Sequence, residues 1–235
     1  MLMEKYGIGF KEMDKKQKVR HIWTYYRYHI LSVILAVLVI GGWISSFIFP
    51  EEASAADVIV CGQMHVSSVE QEEKEAFDEN YNIGVNLRPL NWEKDIESAN
   101  AMLQNIPFKV SIDELDIVAL PTSIYERFVM TYGEDMFMPL ENVEELKGIL
   151  AQNQDKLYSC NKKYDDDGNE IEAVEHIYGI RTSHFPGLES IEECEEMVIG
   201  ITINLRDKNA AIAMYKYILG DEAALDDFLI KVEED

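Results

Sequence analysis

From His29 to Phe49 the chain reads HILSVILAVLVIGGWISSFIF, 21 residues without a Lys, Arg, Asp or Glu. A helix rising ~1.5 Å per residue crosses the ~30 Å hydrocarbon core of a bilayer with that length. The competing assignment is a buried helix of a soluble domain. Such helices rarely run uncharged so far, and amphipathic ones carry a polar stripe that this run lacks. Trp43 and the cluster Trp23, Tyr25, Tyr26 and Tyr28 stand where aromatic belts form, and Pro50 stops the helix. The run predicts one transmembrane helix over 29–49, after a segment 1–28 and before a spacer 50–56 and a domain 57–235.

Charge sets the orientation. Residues 1–28 hold seven basic groups (Lys5, Lys11, Lys15, Lys16, Lys18, Arg20, Arg27) against Glu4, Glu12 and Asp14. Residues 50–235 hold 14 Lys+Arg and 41 Asp+Glu, a net of −27. Lys and Arg close to a membrane segment stay in the cytoplasm, so the acidic part is expected outside. The basic, aromatic stretch Lys15–Tyr28 fits the cytoplasmic interface, where it meets anionic lipids. Ala53-Ser54-Ala55 before Ala56 also fits the small-residue pattern of a cleaved signal peptide. The apolar run exceeds the ~7–15 residues of a signal core, which favours an uncleaved anchor. Either alternative puts the domain outside the cell membrane.

A net of −27 over residues 50–235 speaks against nucleic acid as a partner, since phosphate contact needs a basic surface. Cys61, Cys160 and Cys194 are too few and too scattered for a disulfide framework, although a Cys160–Cys194 bridge is open in an oxidising exterior. Cys61 follows Val60, not a small residue, and sits in an apparent strand, which speaks against lipidation.

From Asp57 the pattern alternates strand and helix. Val58–Val60 is a short β-branched run, Ser68 and Gln71 form a capping-box signature for a helix to about Glu79, and Ile83, Val85 and Leu87 alternate as a strand does. Asn91 is placed to cap a helix Trp92–Ile106. Asp116–Leu120 reads as a buried strand ended by Pro121; Ser123 and Glu126 then cap a helix Ile124–Tyr132 that Gly133 stops. Asn142 with Glu145 opens a helix Val143–Ala151, after which the texture changes and suggests a lobe boundary. Leu157–Lys163 and Ile171–Ile180 read as a hairpin around Asp165-Asp166-Asp167-Gly168-Asn169, Met197–Asn204 as a strand, and Asp207 as the cap of a helix Lys208–Leu219. A last helix carries Leu225, Phe228, Leu229 and Val232. This order predicts an α/β domain with a mainly parallel sheet.

Chemistry-bearing motifs are scarce. Gly168 follows Asp165 by three residues, and the twelfth-position Glu of an EF-hand is missing, so the Asp-rich stretch reads as a turn. His65, His176 and His184 lack zinc-ligand spacing, and no metal or cofactor is expected. There is no Gly-x-Ser-x-Gly or Gly-rich phosphate loop, and no carboxylate pair is marked as acid and base; no catalytic residue is assigned.

Asp116-Ile117-Val118-Ala119-Leu120-Pro121, the helix to Gly133, and Phe137-Met138-Pro139-Leu140-Glu141 resemble the extracellular solute-binding proteins of bacterial ABC importers. Tyr178-Gly179-Ile180 resembles that family's strand returning between lobes. Ile201–Asn204 with Asp207–Ala211 and Tyr215–Leu219 resembles its strand, Asn-containing turn and closing helix. The head Lys15–His29 is similar to single-anchor surface proteins of Firmicutes that carry such a domain. The resemblance implies a periplasmic-binding-protein-like (type II) α/β domain whose second lobe, in so short a chain, is reduced. The other fold in view is a stand-alone α/β sandwich without a cleft. The resemblance further implies a module capturing a small solute for uptake or sensing, with an ABC permease or another envelope protein as partner. The alternative function is a surface structural or protein-interaction domain of the same fold with no small ligand.

In open α/β sheets, ligands gather beyond the carboxyl ends of the strands. Three such ends carry polar groups: Gln63 and His65, Thr122 and Ser123, and Arg181, Thr182, Ser183 and His184. Of these, Gln63, His65, Thr122, Ser123, Arg181, Thr182 and His184 are the candidate ligand-binding residues. Arg181 is suited to a bidentate contact with a carboxylate. Ordinary roles compete: a helix cap for Ser123, a surface ion pair for Arg181, solvated loops for His65 and His184.

Overall fold

The computed structural model describes residues 14–48, 54–91, 94, 96–165, 167–226 and 228. Glu4, Lys5, Lys11, Glu12, Phe49, Pro50, Trp92, Asp166, Leu229, Val232 and the side chains of Arg20, Tyr25 and Trp43, on which parts of the sequence reading rest, lie outside them. The chain divides into two units, Met1–Ala53 and Ser54–Asp235.

In the first unit, α1 (Lys15–Ile48) is one unbroken helix of 34 residues. Every described side chain from Leu31 to Ile40 is exposed, Val37 and Leu38 by 63% and 67%. The helix is therefore apolar on all sides there, with nothing in its own unit covering it. Among the described residues no helix is long and apolar enough to cross a membrane. The described side chains of the uncharged run cover only 29–40, whereas the helical backbone continues through it to Ile48.

The second unit is a mixed α/β domain. Its six-stranded sheet combines β1 (Ala56–Gly62), β3 (Ile83–Pro89), β4 (Ile117–Pro121), β5 (Leu157–Tyr164), β6 (Glu170–Thr182) and β8 (Met197–Ile201), in the order β3-β1-β4-β8-β6-β5. A separate two-stranded sheet pairs β2 (Met64–Val66) with β7 (Ile191–Cys194). The helices are α2 (Glu70–Tyr81), α3 (Ile96–Ser111), α4 (Thr122–Tyr132), α5 (Lys147–Gln152) and α6 (Lys208–Ile218).

β1 pairs in parallel with β3 and β4, but β4–β8, β8–β6 and β6–β5 are antiparallel. Three of the five pairings are thus antiparallel, and the sheet is not mainly parallel. The Asp165–Asn169 turn, with Gly168 at φ +81°, reverses the chain directly. A tight hairpin can join only antiparallel neighbours. β8 then enters between β4 and β6, so the strands on either side of Ala151 belong to one sheet and no lobe boundary falls there.

Alternate residues of the central strands feed two cores. Val58, Val60, Ile117, Ala119 and Ile199 meet Phe77 of α2 and Ala211, Met214 and Tyr215 of α6. Ile59, Cys61, Val118, Leu120 and Val198 meet Ile106 and Val110 of α3 and Tyr125 and Val129 of α4. Burial on both faces explains the continuous apolar runs. Gly200 has a close-approach role: a Cβ there would meet the Tyr125 hydroxyl at 1.9 Å, and that hydroxyl donates to the Tyr178 carbonyl at 2.8 Å.

Asp207 caps α6 by accepting from the N–H groups of Asn209 and Ala210, and Gly133 (φ +48°) ends α4, as expected. Other expected caps fail. α2 begins after Val69, and α4 begins directly after Pro121, which puts Ser123 inside the helix; neither has a side-chain cap bond. For the third helix the described residues start at Ile96, and Asn91 Oδ1 does accept the Lys94 N–H at 3.1 Å, the bond expected of a cap. Extended backbone at Val143 breaks the helix expected from Asn142 into 3-10 turns, Leu140–Asn142 and Glu144–Leu146, before α5. The strand expected to reach Asn204 stops at Ile201, and beyond α6 residues 223–226 are helical.

Where the strands begin, an ion network locks the sheet. Arg206 bonds through Nη2 to Asp57 and, at 3.0 Å, to Asp116; its Nη1 donates to Ser54 Oγ at 3.1 Å. Asp116 is 0% exposed and also accepts from the backbone N–H groups of Asp57 and Arg206, at 2.8 and 3.1 Å. Burial pulls the guanidinium pKa down, but the hydrogen bonds and charges of Asp57 and Asp116 outweigh it and hold it above its ordinary value. Removing one partner of a buried pair leaves an uncompensated charge. Arg206→Met is expected to cost roughly 3–5 kcal/mol, measured by urea unfolding. A midpoint unchanged from the parent would show that the network is dispensable.

Candidate functional site

β8 runs antiparallel to both β4 and β6, so β1, β4 and β6 end at the same edge of the sheet. β1 lies between β3 and β4, so successive connections leave it in opposite directions, the arrangement that opens a crevice at such an edge. The edge carries all seven predicted residues. Pro121 and Thr182 both register with Met197 across β8.

The crevice itself is filled. A Cβ on Gly62 would meet Met197 Cε at 2.5 Å, Glu195 Oε1 at 3.0 Å and Pro121 Cγ at 3.3 Å. The β2–β7 ribbon is tied over this edge. Gln63 N–H donates to Glu195 Oε1 at 2.6 Å, and Glu195 N–H donates to the Gln63 carbonyl at 2.9 Å. Ser67 N–H donates to the Ser190 carbonyl at 2.8 Å, and the buried Ser190 hydroxyl donates to Glu73 on α2. Sequence reasoning missed this ribbon because its strands have three and four residues and little apolar alternation.

The predicted residues share an edge but have separate partners. Exposed His65 stands 3.4 Å from Glu192. Thr122 Oγ1 donates to Glu196 at 3.3 Å, and Ser123 is exposed within the first turn of α4. Arg181 lies over the Tyr158 ring, 5.5 Å from its centroid. Thr182 Oγ1 donates to the His184 carbonyl and accepts His184 N–H, a local turn.

Concave surface lies elsewhere. A cleft of about 740 Å³ runs between the end of α4 with Gly133–Asp135 and the β5–β6 hairpin. A groove of about 430 Å³ separates α3 from α4 and is lined by Leu103, Pro107, Ile124, Phe128 and Tyr132. Beside the cleft, His176 on β6 faces a carboxylate at each ring nitrogen: Nδ1 lies 2.6 Å from Glu141 and Nε2 2.8 Å from Glu134. Glu141 also accepts Ile177 N–H at 3.0 Å, which clamps the hairpin root to the 3-10 turn Leu140–Asn142. Burial first, then the charge of Glu134, pushes the nearby Tyr178 phenol up to about 12.

All three cysteines are free thiols, so Cys160 and Cys194 are not bridged. Asp165 accepts the backbone N–H groups of Asp167 and Asn169, which commits its carboxylate to the turn. Among the described residues no group of three or more His, Cys, Asp or Glu is placed to hold a metal ion. No family model matches the chain, and neither a curated protein nor a solved structure matches it.

Two tests follow from this geometry. Glu141→Ala removes the acceptor of Ile177 N–H, and that amide is expected to exchange about tenfold faster, the equivalent of one hydrogen bond; unchanged exchange would mean the clamp does not hold the hairpin. Burial pushes the Cys61 thiol up to about 12 and that of Cys194 up to about 11, from 9.0. The folded state keeps these protons while the unfolded chain loses them, so their stabilisation is complete below pH 9 and disappears as pH rises through 11 and 12. The melting temperature should stay level up to about pH 8.5 and fall beyond pH 9; a level curve through about pH 11 would contradict this.

Proposed function

We propose that this chain is a single-anchor surface module: α1 spans the cell membrane with its basic end in the cytoplasm, and the α/β domain works outside by binding. The observation that carries this reading is the exposure of every described apolar side chain from Leu31 to Ile40. A helix apolar all round is at home only in a protein core or in lipid, and nothing in its own unit covers it. The basic flank Lys15–Arg27 and the net of −27 beyond the helix support the orientation.

The domain binds another envelope protein through its surface. The filled crevice at Gly62, with Met197 fully buried in it, supports this use over the enclosure of a solute. Descent from a type II solute-binding fold fits the three parallel strands and the quoted motifs, with the second lobe given up. Solute capture remains the second reading, favoured by one observation: the seven polar candidates share the carboxyl edge of β1, β4 and β6.

Two measurements test these readings. Protease added to intact cells is expected to digest the domain and spare an N-terminal tag; protection of the C-terminal part would refute the topology. A panel of amino acids, sugars, oligopeptides and metal ions is expected to leave the melting temperature of the chain unmoved. A ligand at about 100 times its Kd would stabilise by about 2.7 kcal/mol and establish solute capture instead. Arg181→Ala with Thr122→Ala would then have to abolish that shift for the carboxyl edge to be the site.

A further inference from the structure

The groove between α3 and α4 has no part in the carboxyl edge. α3 leads into β4 and α4 leaves it, and both pack on the core that holds Ile59, Val118 and Leu120. Leu103, Ile124 and Phe128 are half-buried: they pack against that core and also line the groove. The Phe128 and Tyr132 rings stack with centroids 6.0 Å apart, and Tyr132 stays 39% exposed. No lining residue is acidic, although residues 50–235 hold 41 Asp+Glu, so the domain's negative surface is interrupted here. The cation of the groove is Arg127, exposed and, among the described residues, without an ion pair. Aromatic rings and Arg together, with Asp and Glu depleted, make up the core of a protein interface.

We propose that this groove receives an amphipathic helix of an envelope protein, with an Asp or Glu beside its apolar face that pairs with Arg127. The proposal rests on the protein-binding reading above and gives it a place and a partner chemistry. The groove's walls are helices, whose backbone groups are already bonded within each helix. An extended segment laid here would leave its own N–H and C=O groups unpaired, whereas a helix satisfies them internally. From Asn100 to Pro107 the α3 wall is about 11 Å long, two helical turns, which matches anchors at i, i+3 or i+4, and i+7. A small molecule is a poorer occupant, because such sites enclose ~70–90% of a ligand and this one leaves Tyr132 open. A second copy docked groove to groove would set Arg127 against a surface with no lining carboxylate. The occupant must bring the carboxylate itself.

The test places a photo-crosslinking benzoylphenylalanine at Thr131 of the full chain, in the cells that natively make it. Irradiation is expected to join the chain to one envelope protein. Mass spectrometry should locate the bond in a helical segment with that apolar spacing and a carboxylate beside it. Arg127→Glu should cut the crosslink yield about tenfold, and Arg127→Lys should keep it. Replacing the other protein's carboxylate by Lys should restore the yield with Arg127→Glu, a rescue that a misfolded variant would not show. A yield indifferent to Arg127→Glu, or a crosslink to a second copy of this chain, would overturn the proposal. So would a melting temperature that decanoate raises in the parent and not in Arg127→Glu, which would assign the groove to a small apolar carboxylate. Crosslinks from the same probe at His65 but not at Thr131 would overturn the groove and leave the protein-binding reading standing. Crosslinks from neither position would overturn both.

Discussion

The contact on which the domain most depends is the one between Arg206 and Asp116. Asp116 is fully buried at the start of the third strand in the sequence of parallel strands, and Arg206 supplies its counter-charge from the far side of β8. The same guanidinium reaches Asp57 on β1 and Ser54 ahead of it. One cation therefore fixes the relative positions of β1, β4 and the turn into α6. Hydrophobic burial is non-directional and would tolerate small slips of these strands; a charged network with defined donors and acceptors does not. The glycine at position 84 belongs to the same arrangement, because any side chain there would displace the Asp57 carboxylate.

This network was not legible in the sequence. Its members are separated by 90 and 149 positions, and each alone looks like a surface charge in an acidic chain. What was legible follows from periodicity. Buried strands such as Val58–Val60 and Asp116–Leu120 announce themselves because both faces are covered, and the Asp-Gly turn announces its hairpin. Caps were less secure. Ser68, Ser123 and Asn142 have cap-forming side chains, but Val69, Pro121 and Val143 set the local backbone and moved the helix starts. The insertion of β8 between β4 and β6 is a tertiary choice with no local signal, and it turned an expected parallel sheet into a mixed one.

The site divides in the same way. That Gln63, Thr122 and Arg181 share an edge follows from the rule that parallel strands end together, and the antiparallel β8 preserves it by entering between two strands that point the same way. Whether the edge is open depends instead on Met197 and the β2–β7 ribbon, segments whose positions are fixed only by long-range pairing.

Electrostatics then changes what Arg181 can do. The segment 189–196 brings five glutamates, Glu189, Glu192, Glu193, Glu195 and Glu196, to the ribbon that covers the strand ends. Glu195 already bonds the Gln63 amide, and Glu196 the Thr122 hydroxyl, so donors that would receive a ligand's carboxylate are held by the chain's own. Arg181 meanwhile rests on the Tyr158 ring, where stacking and cation–π attraction hold it against the domain. An anion approaching this edge meets five glutamates against two guanidinium groups, the stacked one of Arg181 and that of Arg88 in register with Cys61 at the end of β3. Like-charge juxtaposition suppresses a partner more effectively than a missing contact does. A field of this sign attracts cations in general, and the attraction weakens as ionic strength rises.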